Sequence, residues 1–370
     1  MSDLASQRVL ARTSPHLPLS WYFDSKVAEL EKKLLFDPGP GYVGHEQMVA
    51  NPGEYRVLDW RSNGAWSLVN NEGKIGLVSN VCRHRQAIML KGHGSLAGGT
   101  ITCPLHRWSY SGEGKHLGAP DFPSFPCLDL PRQDLQKWNG MLFNGPRTIA
   151  KDLANLGVAK ELDFDGYVLD KVEVVEYPFN WKTFIEVYLE DYHVAPFHPG
   201  LGNFVTCDDL RWEFGDWYSV QTVGVNKALG KPGSETYKKW HEQVLRFRNG
   251  EPPPHGAIWL TYYPNVMVEW YPHVLVISTL YPRGPDKCRN VIEFYYPEEI
   301  ALFEREFVEA EQKAYHETAL EDEEICVRMT EGRKALTEDG REEHGPYQSP
   351  MEDGMVHFHE FIRRELGQQA

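Results

Sequence analysis

Apolar residues at Val27, Leu30, Leu34 and Leu35 recur with helical spacing behind Asp24, which predicts a short amphipathic helix over residues 24–36. From residue 37 the texture changes. Turns rich in glycine and proline separate short apolar runs such as AWSLVN and IGLVSN, and this small-β pattern persists to WNGMLFNG at residues 138–145. A polar stretch of helical character, residues 147–166, leads into a strand-like run at 167–180. Residues 257–282 and 289–297 are β-branched and aromatic, as in antiparallel strands, and residues 298–336 form a long charged helical region. Just before these strands, residues 230–256 read as a loop holding a helix, a candidate lid. The sum is an α+β chain: a small all-β domain, then a larger domain whose antiparallel sheet is covered by helices.

Length and charge narrow the function. A chain of 370 residues can bury two proper cores, and 41 % hydrophobic with 25 % charged residues is ordinary for a soluble globular protein. No window is apolar enough to span a membrane and the N-terminus lacks a signal-peptide core, so a cytoplasmic protein is expected. A formal net charge of −15 disfavours nucleic acid or anionic membrane as the main partner, and suits a basic redox partner. No GxGxxG opens a βαβ unit, so the chain is not expected to bind a nicotinamide itself. Cys127, Cys207, Cys288 and Cys326 show no framework spacing and read as free thiols in a reducing compartment.

The chemistry begins with Cys82 and His84 in VCRHRQA, followed after eighteen residues by Cys103 and His106 in CPLHRWSYSGEGKHLGAP. Two thiolates and two imidazoles can close a tetrahedral zinc site, or hold a [2Fe-2S] cluster with unlike ligands on its two irons. Each pair is mixed, which favours the cluster. On these motifs the chain resembles the Rieske non-haem iron oxygenases of the alpha-subunit, ring-hydroxylating type. The resemblance implies a Rieske [2Fe-2S] domain at 38–150, a catalytic mononuclear iron domain at 151–370, and an N-terminal helical segment, 1–37, packing with the catalytic domain. Within the cluster Cys82 and Cys103 would hold one iron, and His84 and His106 the other. Trp108 would pack beside the cluster loop.

A second metal site is expected in NWKTFIEVYLEDYHVAPFHPG, residues 180–200. A helix starting after Asn180 would put Glu186, Glu190 and His193 on one face, and Pro196 permits a break that re-aims His198 toward His193. This spacing resembles the family's mononuclear iron motif, in which a distant carboxylate completes two histidines; two imidazoles with one carboxylate are the ligand set of non-haem Fe(II) oxygenases. The segment TALEDEEICVRMTEG, residues 318–332, resembles the one that supplies the carboxylate, and matching Cys326 places Asp322 there, though Glu321, Glu323 and Glu324 crowd it. His357 and His359 read as structural. By the same resemblance Glu190 would bridge His193 to His106 of a neighbouring chain, in a homotrimer. Its position, usually Asp in ring dioxygenases, and the YLEDYHVAPFHPG flank look more like the branch that oxidises quaternary ammonium compounds.

The implied function is that of a terminal oxygenase using O2, with electrons from a separate NAD(P)H-dependent reductase, possibly through a ferredoxin. It would hydroxylate or demethylate a small aromatic or quaternary ammonium substrate. Trp212, Trp217, Trp259, Tyr262 and Trp270 are candidate pocket aromatics. Two other readings stand beside it: a non-catalytic Rieske electron carrier with two irons per chain, and a colourless zinc-stabilised binding module.

Overall fold

The computed structural model describes residues 16–367, so residues 1–15 of the expected N-terminal segment lie outside the described part. These residues form two compact units: one comprises residues 40–151, the other 152–367 together with 16–39.

The smaller unit is built from short antiparallel strands. A five-stranded sheet has Trp66–Asn71 at its centre, between Glu54–Val57 and Lys74–Ser79. Two three-stranded sheets accompany it; one contains Thr100–Thr102 and Ser109–Ser111, joined by the second Cys/His loop. Val69, Val78, Ile101, Trp108 and Tyr110 form a core against which both cysteines are buried.

In the larger unit, helix α1 (Ser25–Glu31) starts where Asp24 accepts a hydrogen bond from the Lys26 amide at 2.8 Å, and a π-helical turn extends it to Phe36. Seven strands follow: β1 (Tyr167–Tyr177), β2 (Val205–Gly215), β3 (Tyr218–Val225), β4 (Ala257–Tyr262), β5 (Val266–Tyr271), β6 (Val274–Gly284) and β7 (Lys287–Pro297). They make one antiparallel sheet in the order β1-β7-β6-β5-β4-β3-β2. Its central strands are buried almost throughout, because helices and chain cover the sheet.

The long charged region divides into a short helix, Glu298–Phe303, and α5 (Arg305–Glu338). Helix α2 (Trp181–Tyr188) packs on α5, and so does α4 (Glu235–Phe247), the helix of the expected lid segment. The final helix, α6 (Asp353–Leu366), carries His357 and His359. Residues 147–166 hold only one short helix, Ile149–Asp152. The N-terminal residues are tied to α2: Trp181 Nε1 donates to Glu31 at 2.8 Å, and the buried Lys182 ammonium pairs with the same carboxylate.

Candidate metal centres and the pocket between strands and helices

The two Cys/His loops of the smaller unit are built alike. The Cys82 amide donates to the Ala87 carbonyl (2.9 Å) and the Gln86 amide to the Cys82 carbonyl (3.1 Å); Cys103, Trp108 and Arg107 repeat the pattern at 2.8 and 3.1 Å. In both, the residue four past the cysteine takes a left-handed φ, 56° at Gln86 and 60° at Arg107. The matched turns bury the sulfurs, at 2 % and 1 % exposure, and bring the His84 and His106 rings to a centroid separation of 4.7 Å. Trp108 stacks on His84 at 4.9 Å. The His84 Nδ1 atom is shielded from water and has no hydrogen-bond partner, a costly state that metal ligation would remove.

Among the described residues, the one group of three or more Cys, His, Asp or Glu side chains with all ligand atoms within 4.8 Å is His193, His198 and Asp322. Cys82, His84, Cys103 and His106 are therefore not gathered round a single point, as tetrahedral zinc requires, and fit a cluster of two irons.

The second site is made by a helix that stops. The Asn180 side chain caps α2 by accepting from the Lys182 amide at 2.9 Å, but α2 ends at Tyr188 rather than continuing through His193. Glu190 lies in the break, where its carboxylate accepts from the His193 amide at 3.0 Å. A single turn, α3 (Val194–Phe197), contains Pro196, and His198 leaves it with non-helical φ and ψ of −101° and 89°. Across from them on α5, Asp322 Oδ1 is 3.0 Å from His198 Nε2 and 3.5 Å from His193 Nε2. That oxygen is shielded from water and neither approach has hydrogen-bond geometry, so the three atoms face a common space that a divalent cation would fill.

Each histidine is braced from behind. Glu190 Oε1 lies 2.5 Å from His193 Nδ1, and Glu321 Oε2 lies 2.7 Å from His198 Nδ1. The Glu321 hydrogen bond keeps a proton on Nδ1 of His198 and leaves its Nε2 lone pair for a metal, whereas the Glu190 contact with His193 Nδ1 lacks hydrogen-bond geometry and acts through charge. Burial disfavours a charged His193, yet Asp322 and Glu190 outweigh it and raise its pKa to about 10; burial also pushes the Asp322 carboxyl up, but the two imidazoles hold it below the usual carboxylate range. The set is thus arranged to hold positive charge. With Gln at residue 190 the Nδ1 brace is weakened, and turnover should fall about 10- to 100-fold while iron and cluster remain. Slower reoxidation of the reduced cluster is the readout; an unchanged rate would remove Glu190 from the electron path.

Glu321 could not have been found from spacing: it is one of a run of acidic residues, and its partner lies 123 positions away. Glu186, expected on the same face as Glu190 and His193, points elsewhere. Because α2 ends before Glu190, that shared face does not exist. Glu186 is instead fully buried against Arg333 (2.6 Å), His359 Nε2 (2.8 Å) and the Tyr22 hydroxyl. Burial would raise its carboxyl, but Arg333 and His359 outweigh this and lower it to about 2. A depressed folded-state pKa stabilises the fold above the unfolded value near 4.5 and ceases to do so as pH falls toward 2. Glu186→Gln should therefore cost about 3 kcal/mol at pH 7, and the gap to wild type in urea unfolding should narrow below pH 4. His359 is thus structural, as is His357, which bonds the Tyr263 hydroxyl at 2.9 Å.

The His193, His198 and Asp322 side chains open onto a pocket bounded by the sheet, α2, α4 and α5. Of the expected aromatics only Trp259 lines it; the indole of Trp212 instead donates to the Pro350 carbonyl, and Trp217 packs beside the core under α6. The other aromatic walls are Tyr188, Tyr237, Trp240, Tyr271 and Tyr315, with Tyr177 and Phe184. Five carboxylates, Glu190, Asp191, Glu269, Glu311 and Asp322, line the pocket, and among the described residues no lysine or arginine does. Burial raises Asp191 and Glu269 to about 7 and Glu311 to about 8.

Comparison with known proteins agrees with this geometry. Residues 40–131 match the family model of the Rieske [2Fe-2S] domain, and residues 164–368 that of the ring hydroxylating alpha subunit catalytic domain. The chain is 62 % identical over 366 residues to a putrescine 2-hydroxylase of Ralstonia nicotianae, covering 99 % of this chain and all of that one. It is 55 % identical to a putrescine 2-hydroxylase of Bordetella bronchiseptica, covering all of this chain and 88 % of the relative. Among solved structures, a quaternary ammonium Rieske monooxygenase studied for carnitine oxidation superposes with a TM-score of 0.77 at 19 % identity, over 97 % of this chain and 98 % of the other. Among the described residues no helix is long and apolar enough to cross a membrane. With both halves matched and full-length relatives this close, the chain belongs to the Rieske non-haem iron oxygenases as a catalytic alpha subunit, an oxygen-incorporating oxidoreductase that carries a [2Fe-2S] cluster and mononuclear iron.

Proposed function

We propose that this subunit hydroxylates carbon 2 of putrescine or a closely similar linear diamine. The observation that carries the proposal is 62 % identity along the whole chain to a protein of that activity. The pocket agrees with it: beyond Asp322 and Glu190, which the metal centre uses, Asp191, Glu269 and Glu311 line it with no lysine or arginine among the described residues, which suits a dication better than an uncharged aromatic ring. The electron-carrier reading does not hold, since residues 164–368 match the catalytic-domain model.

In this reading residues 38–150 carry the cluster on Cys82, Cys103, His84 and His106, residues 151–370 carry the mononuclear iron on His193, His198 and Asp322, and the described part of the N-terminal segment, residues 16–37, packs with the latter. Together the bound centres supply electrons one at a time and activate O2. The chain's own residues do the positioning. Glu321 holds a proton on the Nδ1 atom of His198, Glu190 sets its negative charge beside Nδ1 of His193, and the aromatic walls exclude water from the substrate carbon. A separate reductase delivers electrons from NAD(P)H. A homotrimer would let Glu190 link His193 to His106 of a neighbouring copy.

The reaction balances as C–H plus O2, two electrons and two protons giving C–OH and water. Assay of the iron-loaded protein with a reductase, NADH and putrescine under 18O2 should give hydroxyputrescine carrying one labelled oxygen. Conversion of carnitine or an aromatic hydrocarbon, with putrescine untouched, would overturn the diamine assignment.

A further inference from the structure

Strand β5 alternates so that Met267, Glu269 and Tyr271 share one side, and Glu269 pairs with Trp259 on β4 and Val276 on β6. A carboxylate in the middle of an apolar sheet is an expensive placement, and Glu269 is only 2 % exposed. Its hydrogen bonds are to neutral tyrosines: Tyr271 donates to Oε2 at 2.8 Å and Tyr315 to Oε1 at 3.1 Å. Tyr271 is itself fixed by the Trp259 indole, which donates to its hydroxyl at 2.9 Å. The carboxylate is therefore oriented, and each oxygen keeps a lone pair open.

A second feature of the same pocket is independently unfinished. The Tyr188 hydroxyl is shielded from water and has no hydrogen-bond partner; burial raises its pKa, and the Glu269 charge adds to the rise. Asp191, 2 % exposed, likewise has one carboxylate oxygen without a partner. Tyr188, Trp259 and Tyr271 stand edge to face, with centroids 6.5 and 6.3 Å apart, so their rings form adjoining walls. What would complete these groups is a cation that also donates hydrogen bonds and tolerates aromatic faces. A primary ammonium has three N–H donors; a quaternary ammonium has none and would leave Tyr188 and Glu269 unsatisfied.

We infer that Glu269, held by Tyr271 and Tyr315 and flanked by Trp259 and the Tyr188 hydroxyl, is the anchor for one primary ammonium group of the substrate. The inference rests on the diamine reading and adds to it the residues that select primary amines over quaternary ones. Glu269 is a binding residue here, distinct from the iron ligands on α5 and beyond α2.

The test compares wild type, Glu269→Gln and Tyr188→Phe, each loaded with iron and cluster, in calorimetric binding of putrescine under anaerobic conditions and in steady-state turnover. Losing a buried charge partner should raise Kd and KM for putrescine about 30-fold or more in Glu269→Gln, with iron, sulfide and visible spectrum unchanged. Tyr188→Phe should raise both about 3- to 10-fold. Wild type should bind 1-aminobutane measurably and its tetraalkylammonium counterpart far more weakly. Glu269→Gln binding within threefold of wild type would overturn the anchor while leaving the diamine reading standing. Wild type that binds neither putrescine nor 1-aminobutane would overturn both. Should Glu269→Gln not fold or take up metal, Tyr188→Phe decides alone, since it leaves Glu269 and its two tyrosines in place; an unchanged Kd there refutes the anchor.

Discussion

Alanine at His193 is expected to lower turnover by about a thousandfold or more while the visible spectrum of the cluster persists. The reason lies in how few groups define the centre. His193 Nε2, His198 Nε2 and Asp322 Oδ1 are the whole of the compact ligand set among the described residues, so removing one leaves two donors for an ion that needs three from the protein. It also strips the buried Asp322 carboxyl of one of the two imidazoles that hold its pKa down. The cluster ligands belong to a separate compact unit and should keep their colour. Product formation per reduced cluster in single-turnover assays is the readout, and a variant with more than a tenth of wild-type turnover would contradict the assignment.

Serine at Cys103 is expected to act the other way round: colour and acid-labile sulfide vanish, and turnover falls to background with them. A serine hydroxyl stays protonated where a thiolate would bind iron. The position is also structural, since Cys103 is 1 % exposed in the core with Val78, Trp108 and Tyr110. Metal–thiolate bonds would add to the few contacts between the two loops, such as the Trp108 ring on His84, and their loss should destabilise the smaller unit as well. Calorimetry should show the transition of the smaller unit shifting down while the unit holding His193 melts as before. Wild-type absorbance in this variant would remove Cys103 from the cluster.

The parts of this site that were legible in sequence are those whose chemistry is local. Cys82, His84, Cys103 and His106 sit in two short loops with their own turn residues, so mixed pairs and flanking glycines and prolines carry the signal. His193 and His198 could be placed near one another because Pro196 allows a change of direction. Glu186 misled because the face it was expected to share requires a continuous helix, whereas α2 stops at Tyr188 and the residue's partners, Arg333 and His359, come from far along the chain. Glu321 was invisible for a related reason: neighbours of the same charge crowd it, and only the fold sets it against His198.

The pocket aromatics failed for a different cause. Strands β4 and β5 are buried on both sides, so no alternation of polar and apolar residues shows which side faces the cavity. Trp259 faces the pocket and Tyr262 and Trp270 do not, yet all three read alike in the sequence. Glu269 alone broke the apolar run of β5.

The most direct test of the account is iron and acid-labile sulfide per chain, measured on anaerobically purified wild type beside Asp322→Ala. A Rieske cluster plus one mononuclear site should give three irons and two sulfides, and the variant should fall to two irons with sulfide unchanged. Three irons retained in Asp322→Ala would show that Asp322 is not needed to hold the third iron, and the assignment of the His193, His198 and Asp322 centre would be wrong.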